Sequence, residues 1–274
     1  MRIIVITGAS DGIGAEAAKQ LATCEDRLVL VGRSPEKTKA VADATGAEYY
    51  LADFTSLDQV RRLGAELNEN LDRIDVLANN AGGIFSGPTI TGDGFEKTFQ
   101  VNHLAPYLLT HELLNTLIAS NASVINTASI AAKLMGNVEL DNFDGRDGFT
   151  SNTAYGTAKL ANILFAKGLH QRFHDHGVSA VAFHPGVVAT NFASDTDSYF
   201  GRLYHGALNR FMTSPQQGGQ RLRHFIDGSP GATWVSGEYY RTPKRIGRTN
   251  KQAYDPAMVE EHWRRSAEML NLDW

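Results

Sequence analysis

Short apolar runs alternate with longer amphipathic stretches along almost the whole chain. "RIIVI" (2–6), "RLVLV" (27–31) and "VSAVAF" (178–183) lack the polar alternation of a half-exposed strand. They predict strands buried on both faces. The full pattern predicts strands at 2–6, 27–31, 47–51, 74–78, 122–127, 178–183 and 234–239. It predicts helices at 12–23, 35–45, 56–70, 94–119, 152–175 and 215–227. Strands separated by helix-length segments specify an α/β fold, a doubly wound parallel sheet of about seven strands with helices on both faces. No linker, repeat or low-complexity tract divides the chain, so residues 1–274 are expected to form one domain.

Two segments break the rhythm. Residues 130–151 are rich in Asp, Asn and Gly and connect the fifth strand to its helix. Residues 189–214 follow the sixth strand and carry Phe192, Tyr199, Phe200, Leu203, Tyr204 and Phe211. Loops of this length in a compact domain are functional or disordered. The second is too aromatic for simple disorder. It reads either as a lid over an apolar ligand or as the packing of a small subdomain.

Composition narrows the classes. With 42% hydrophobic and 20% charged residues, the chain is a soluble globule in type. A net charge of -4 argues against general nucleic-acid binding. The basic stretch "RTPKRIGRTNK" (241–251) has no reading helix or aromatic platform and reads as a solvated loop. Cys24 is the only cysteine, which excludes an internal disulfide and a cysteine-based zinc site. It has no basic or histidine neighbour in sequence and reads as packed near a helix end. The histidines lack metal-ligand spacing, so no metal is expected. No apolar run reaches the ~20 residues of a membrane span and no leader pattern is present, so a cytoplasmic chain without a membrane anchor is expected.

The first strand–helix unit carries the clearest chemistry. "RIIVITGASDGIGAEAAKQLA" is a strand, a turn with Gly8, Gly12 and Gly14, and a helix. Such glycines let backbone approach a pyrophosphate, and the helix N-terminus offers free N–H groups. Ser10, Asp11 and Ile13 belong to the same turn of this Rossmann-type unit. The end of the second strand selects the dinucleotide. A carboxylate there binds a ribose hydroxyl, whereas an Arg accommodates a 2′-phosphate. Here "LVLVGRSPEK" gives Gly32, Arg33 and Ser34 with no acid. NADP(H) is therefore favoured over NAD(H), which stays the alternative. Asp11 is discordant, because a second cation in its place would favour the phosphate. Asp53, before Phe54 in "LADFTS", is placed to meet the adenine amino group or to cap the next helix.

"SNTAYGTAKLANILF" (151–165) places Tyr155 and Lys159 four apart on one helix face. Alone, such a pair is common. In order, however, the chain carries "TGASDGIG", "NNAGG" (79–83), "FQVNHL" with Asn102, "INTAS" with Ser129, "YGTAK" and "HPGVVAT" (184–190). Together these motifs resemble the short-chain dehydrogenase/reductase family over nearly the whole chain. "VNHLAPYLLT", "GNVELDNFDGRDG", "AYGTAKLANILFA" and "WVSGEYY" resemble its retinol-dehydrogenase-like group. "NHLAPY" departs by having Ala105 and Pro106 where that group has Gly-His.

The resemblance implies hydride transfer between a nicotinamide and a small-molecule carbonyl or alcohol. Tyr155 is implied as acid or base, Lys159 as the cation beside it, Ser129 as the donor that orients the substrate oxygen, and Asn102 as the holder of a relay water. An ordinary phenol titrates near ~10 and acid–base work favours a value near 7. A cation ~4 Å away at an effective dielectric of ~20 supplies about the needed 4 kcal/mol. Asn80, Ala81 and Gly82 are implied to line the cofactor, with Pro185, Gly186, Val188 and Thr190 against the nicotinamide. An apolar aldehyde or ketone is the expected substrate. An NAD-linked alcohol or steroid dehydrogenase and a non-catalytic NADP-sensing protein are the rivals. Helices 94–119 and 152–175 pair between subunits in many members, so a homodimer or homotetramer is among the expectations.

Overall fold

The computed structural model describes residues 1–187 and 213–274. The predicted lid at 189–214 therefore lies, but for its last two residues, outside the described residues.

The first half alternates strand and helix: β1 (Ile3–Thr7), α1 (Gly12–Leu21), β2 (Arg27–Gly32), α2 (Pro35–Thr45), β3 (Glu48–Leu51), α3 (Leu57–Asn70) and β4 (Val76–Asn79). A helical segment then runs through α4 (Ala105–Glu112) and α5 (Leu114–Ala119) to β5 (Ser123–Thr127). The long α6 (Ser151–Phe173), β6 (Ser179–Phe183), α7 (Pro215–Asp227), β7 (Tyr239–Thr242), β8 (Arg245–Ile246) and α8 (Pro256–Met269) follow. The sheet order is β3-β2-β1-β4-β5-β6-β7-β8. Every pairing is parallel except β7 with β8.

The uninterrupted apolar strands have the reason anticipated from sequence. Ile3 and Val5 of β1 enter one core with α3, α4, α6 and α8. Ile4 and Ile6 enter the opposite core with α1, α2 and α7. A two-residue period with both faces covered leaves no polar position.

Four expectations need correction. The last predicted strand, 234–239, begins only at Tyr239. Trp234 instead fills the core, and Gly237, at φ +83°, turns the chain so that its N–H donates to Ala180 O. The basic stretch supplies the end of β7 and an eighth strand, β8, rather than a loop throughout, although Arg241, Lys244 and Arg245 do face solvent. The helix expected at 94–119 is interrupted. It starts as a short turn at Lys97–Phe99, widens to a π-helix at Gln100–Leu104, and breaks again at Leu113. Finally, α8 was not anticipated at all. Its Trp263 lies on Gly168 of α6, where a Cβ would fall 2.6 Å from the indole. With α8 in place, Ala154 to Ala166, Gly168 and Leu169 of α6 are buried within the chain.

Cys24 lies just past α1, its N–H donating to Leu21 O. The fold also brings a cation to it that sequence proximity missed: Arg223 of α7 approaches its Sγ at 3.7 Å. No helix among the described residues is long and apolar enough to cross a membrane.

Candidate active site

The C-terminal ends of the parallel strands frame a cavity of about 550 Å³. The glycine turn forms one wall. Gly8 has φ +66°, and a Cβ there would sit 2.7 Å from Ala81 Cα. A Cβ at Gly14 would fall 2.4 Å from Gly8 O, so Gly14 serves the close helix–strand contact and does not itself line the cavity. Asp11 caps α1, its carboxylate accepting from Gly12 N at 2.7 Å. Thr7 Oγ1 accepts from Asn80 N and Ala81 N at 3.0 and 3.1 Å. Asn80 Nδ2 donates back to Thr7 O at 3.0 Å. The turn is thus a rigid backbone cradle at a helix N-terminus, the surroundings a dinucleotide pyrophosphate requires. Ser10, Gly12 and Ile13 complete its lining.

Beyond β2, Arg33, Ser34 and Lys37 line the same cavity. Ser34 caps α2 by accepting from Lys37 N. Lys37, which the sequence reading passed over, points its Nζ to Asp11 Oδ2 at 3.3 Å. The discordant acid is therefore partnered by a cation, and Arg33 is left without an ion pair among the described residues. What could have found Lys37 is its place in the first turn of the helix that Ser34 caps, a turn that faces the glycine loop. Asp53 and Phe54 line the opposite wall. Asp53 is not the cap of α3: it accepts from Thr55 N at 2.9 Å, and Ser56 caps the helix. Ala81, Gly82, Pro185 and Gly186 also line the cavity. Asn79 does not; buried, it donates to Thr110 Oγ1 and Asn126 Oδ1 and ties the sheet to α4.

Tyr155 and Lys159 stand together at the inner end. Helix α6 opens with a capping box in which Thr150 and Thr153 satisfy each other's backbone, which fixes the helix start one turn before Tyr155. Lys159 is 1% exposed, and its Nζ lies 5.6 Å from the Tyr155 ring centroid. It donates to Thr127 O at 3.1 Å. Burial lowers its pKa to about 7. Desolvation is the cause, since burial disfavours the charged form.

Ser129 lies two residues beyond β5, buried, its Oγ accepting from Ala131 N at 3.1 Å. Asn102 sits in the π-helix with its side chain committed to backbone. Nδ2 donates to Gly83 O and Thr98 O, both at 2.8 Å, and Oδ1 accepts from Gly83 N at 3.1 Å. The Asn102 side chain thus clips the helix to the 81–83 segment instead of pointing into the cavity. A Cβ at Gly82 would meet Asn102 Oδ1 at 2.4 Å and Lys159 Nζ at 3.1 Å, so this glycine lets the three groups converge. Neither Ser129 nor Asn102 is among the described residues that line the cavity; Thr127 is. Ile84, Ala131 and Met135 pack around Tyr155. His184 is neutral in this fold, because burial lowers its pKa to about 4, and Nδ1 accepts weakly from Ile130 N. Val188 and Thr190 lie outside the described residues.

A family profile described as short chain dehydrogenase matches residues 2–199. The Streptomyces sp. (strain C5) protein "Putative daunorubicin C-13 ketoreductase DnrU" is 37% identical over 97% of this chain and 91% of its own. Mouse retinol dehydrogenase 12 is 33% identical over 100% of this chain and 87% of its own. Among solved structures, a Mycobacterium paratuberculosis protein of uncharacterised function superposes with a TM-score of 0.78 at 26% identity, over 99% of this chain and 94% of that one. A metagenomic short-chain oxidoreductase in complex with NADP superposes with a TM-score of 0.56 at 29% identity, over 68% and 82%.

Proposed function

Since the chain belongs to the short-chain dehydrogenase/reductase family and is retinol-dehydrogenase-like within it, and is thereby an oxidoreductase of carbonyl and alcohol groups, we propose that it uses NADP(H) to reduce an apolar aldehyde or ketone, or to oxidise the corresponding alcohol. The observation that carries the cofactor choice is the pair Arg33 and Lys37 at one end of the cavity, with no carboxylate at the end of β2. A 2′-phosphate there would meet Arg33 and Lys37, the latter shared with Asp11, and the end of β2 offers no carboxylate to a ribose hydroxyl. The apolar class is supported by Ile84, Ala131 and Met135 around Tyr155, and by the retinol and daunorubicin names of its relatives.

When bound, a nicotinamide would supply the hydride. The chain's own residues do the rest. Tyr155 donates its phenolic proton to the carbonyl oxygen in reduction and takes it back in oxidation. Lys159, held by Thr127 O, provides positive charge beside the ring in its protonated form. Burial alone lowers that charge, so an anionic cofactor in the same cavity should favour the ammonium and strengthen its effect on Tyr155. Ser129 releases its contact with Ala131 N–H, or adds to it, to steer the substrate oxygen. Asn102 positions by clamping Gly83 beside Lys159.

The test is NADPH consumption against long-chain, aromatic, terpenoid and steroid aldehydes and ketones, with NADH and Tyr155→Phe as controls. Turnover of one apolar class, faster with NADPH and lost in the variant, is the expected result. Tight NADPH binding with no turnover of any carbonyl, or of alcohols with either oxidised cofactor, would replace this function with that of a binding protein.

A further inference from the structure

The α6 helix carries a second buried polar side chain on the face of Lys159. Asn162, three residues on and 3% exposed, donates from Nδ2 to Thr127 O at 3.2 Å. This is the same oxygen that accepts from Lys159 Nζ at 3.1 Å. A peptide oxygen has two lone pairs, and here both are taken by one helix. Among the described residues it is the only hydrogen-bond acceptor of Lys159 Nζ. The other end of Thr127 is tied as well: its Oγ1 donates to Asn80 Oδ1 at 3.2 Å, and Asn80 holds the glycine turn through Thr7 O.

We propose that Asn162 is a positioning residue for Lys159, acting through the shared Thr127 carbonyl. This inference rests on the role given to Lys159 above. The physical case is geometric. Thr127 is the last paired residue of β5, and the N–H of its following peptide is held to β6 by Ala128 N donating to Phe183 O at 2.8 Å, so Asn162 and Lys159 hold the carbonyl side of the same peptide. An amide donor from a fully buried helix turns that oxygen toward α6 and holds it there. The lysine then meets an acceptor already in place, and the backbone that leads two residues on to Ser129 is pinned by the same bond. Asn162 is itself held deep in the protein, beside the His103 ring. His103 Nε2 bonds Ser266 Oγ of α8 at 2.9 Å. The C-terminal helix thereby braces the catalytic end from behind.

Four proteins test this: the unaltered chain, Asn162→Leu, Asn162→Ser and Lys159→Met. Two readouts are needed, kcat with the NADPH dissociation constant, and the titration of Lys159 followed by NMR of lysine labelled at Cε, assigned by its loss in Lys159→Met. Asn162→Leu, close in volume but without the donor, should lower kcat about 10- to 100-fold while the NADPH dissociation constant stays within about threefold. Asn162→Leu should also move the Lys159 titration downward by about half a pH unit or more, because the acceptor of its ammonium is no longer held, and Asn162→Ser, whose shorter side chain does not reach Thr127 O, should do the same. A merely structural asparagine would lower stability yet leave that titration where it is. An unmoved Lys159 titration or unaltered kcat in Asn162→Leu overturns the inference; if the leucine variant fails to fold, the same two readouts in Asn162→Ser decide. Undiminished turnover in Lys159→Met would instead overturn the role of Lys159 itself.

Discussion

The two ends of the cavity are built from different materials. The cofactor end is backbone: Gly8 and Gly14 excluded from bearing a Cβ, a helix N-terminus capped by Asp11, and cations at the rim. The end proposed for catalysis is buried side chain: Lys159 and Asn162 bond Thr127 O across 32 and 35 residues of sequence between α6 and β5, and Asn102 bonds Gly83 across 19. A backbone cradle is specified by local spacing and tolerates little substitution anywhere. A buried polar array is specified by partners far apart in sequence, and its electrostatics depend on burial. The first end should therefore fail in binding when altered, and the second in rate.

The largest separation of the two is expected from Tyr155→Phe. Loss of the acid–base group should lower kcat/KM by about 10²–10⁴-fold, with NADPH affinity preserved, as read by fluorescence titration and steady-state rates. At the other end, Gly14→Ala drives a Cβ to 2.4 Å from Gly8 O. It should cost about 1–3 kcal/mol of stability through overpacking and weaken NADPH at least about tenfold, seen in urea unfolding and in titration. Arg33→Ala should erase most of the preference for NADPH over NADH, roughly 10- to 100-fold for a charge pair near the surface. Equal affinities in the unaltered protein would contradict it. Lys37→Ala should have a smaller effect in the same direction, because part of its charge already serves Asp11 at 3.3 Å.

The smallest effect sharpens the contrast through pH. His103 and His262 are fully buried against each other, ring centroids 4.7 Å apart, and burial holds His103 neutral down to about 3 and His262 well below its ordinary 6.5. The unfolded chain takes up these protons near 6.5 and the folded chain does not. Stability contributed by their neutral burial is thus complete above about 6.5 and declines as pH falls, by about 1.4 kcal/mol per pH unit per group. Lys159 acts in the same sense higher up: its folded value of about 7 lies below 10.5, so stability rises with pH across that interval. Replacing His262, whose two ring nitrogens lack hydrogen-bond partners among the described residues, by Leu should flatten the acid slope by about one group's worth. An unchanged slope in urea unfolding between pH 5 and 6.5 would contradict the assignment.

The contrast also explains what was legible in the sequence. Strand alternation around β1 and β2, the glycine turn, and the Tyr155–Lys159 spacing are local, and so were readable. Lys37 was missed because its approach to Asp11 joins the starts of two helices, α1 and α2. The helix at 94–119 looked continuous because its apolar pattern persists; its π-segment comes from Asn102 bonding Thr98 O and Gly83, a tertiary event. The burial of Lys159 was not legible for the same reason, since four-residue spacing carries no information about it. Helix α8 is anchored by Trp263 on Gly168 and by Ser266 on His103, contacts over 95 and 163 residues that no local periodicity announces.

The most direct test is single-turnover reduction of an apolar ketone by enzyme-bound NADPH, comparing the unaltered protein with Tyr155→Phe at matched saturation of the cofactor. The account predicts oxidation of the bound NADPH in the first and none on the same timescale in the second, with equal amounts of cofactor bound. Equal oxidation in both would remove Tyr155 from the chemistry and contradict the account at its centre.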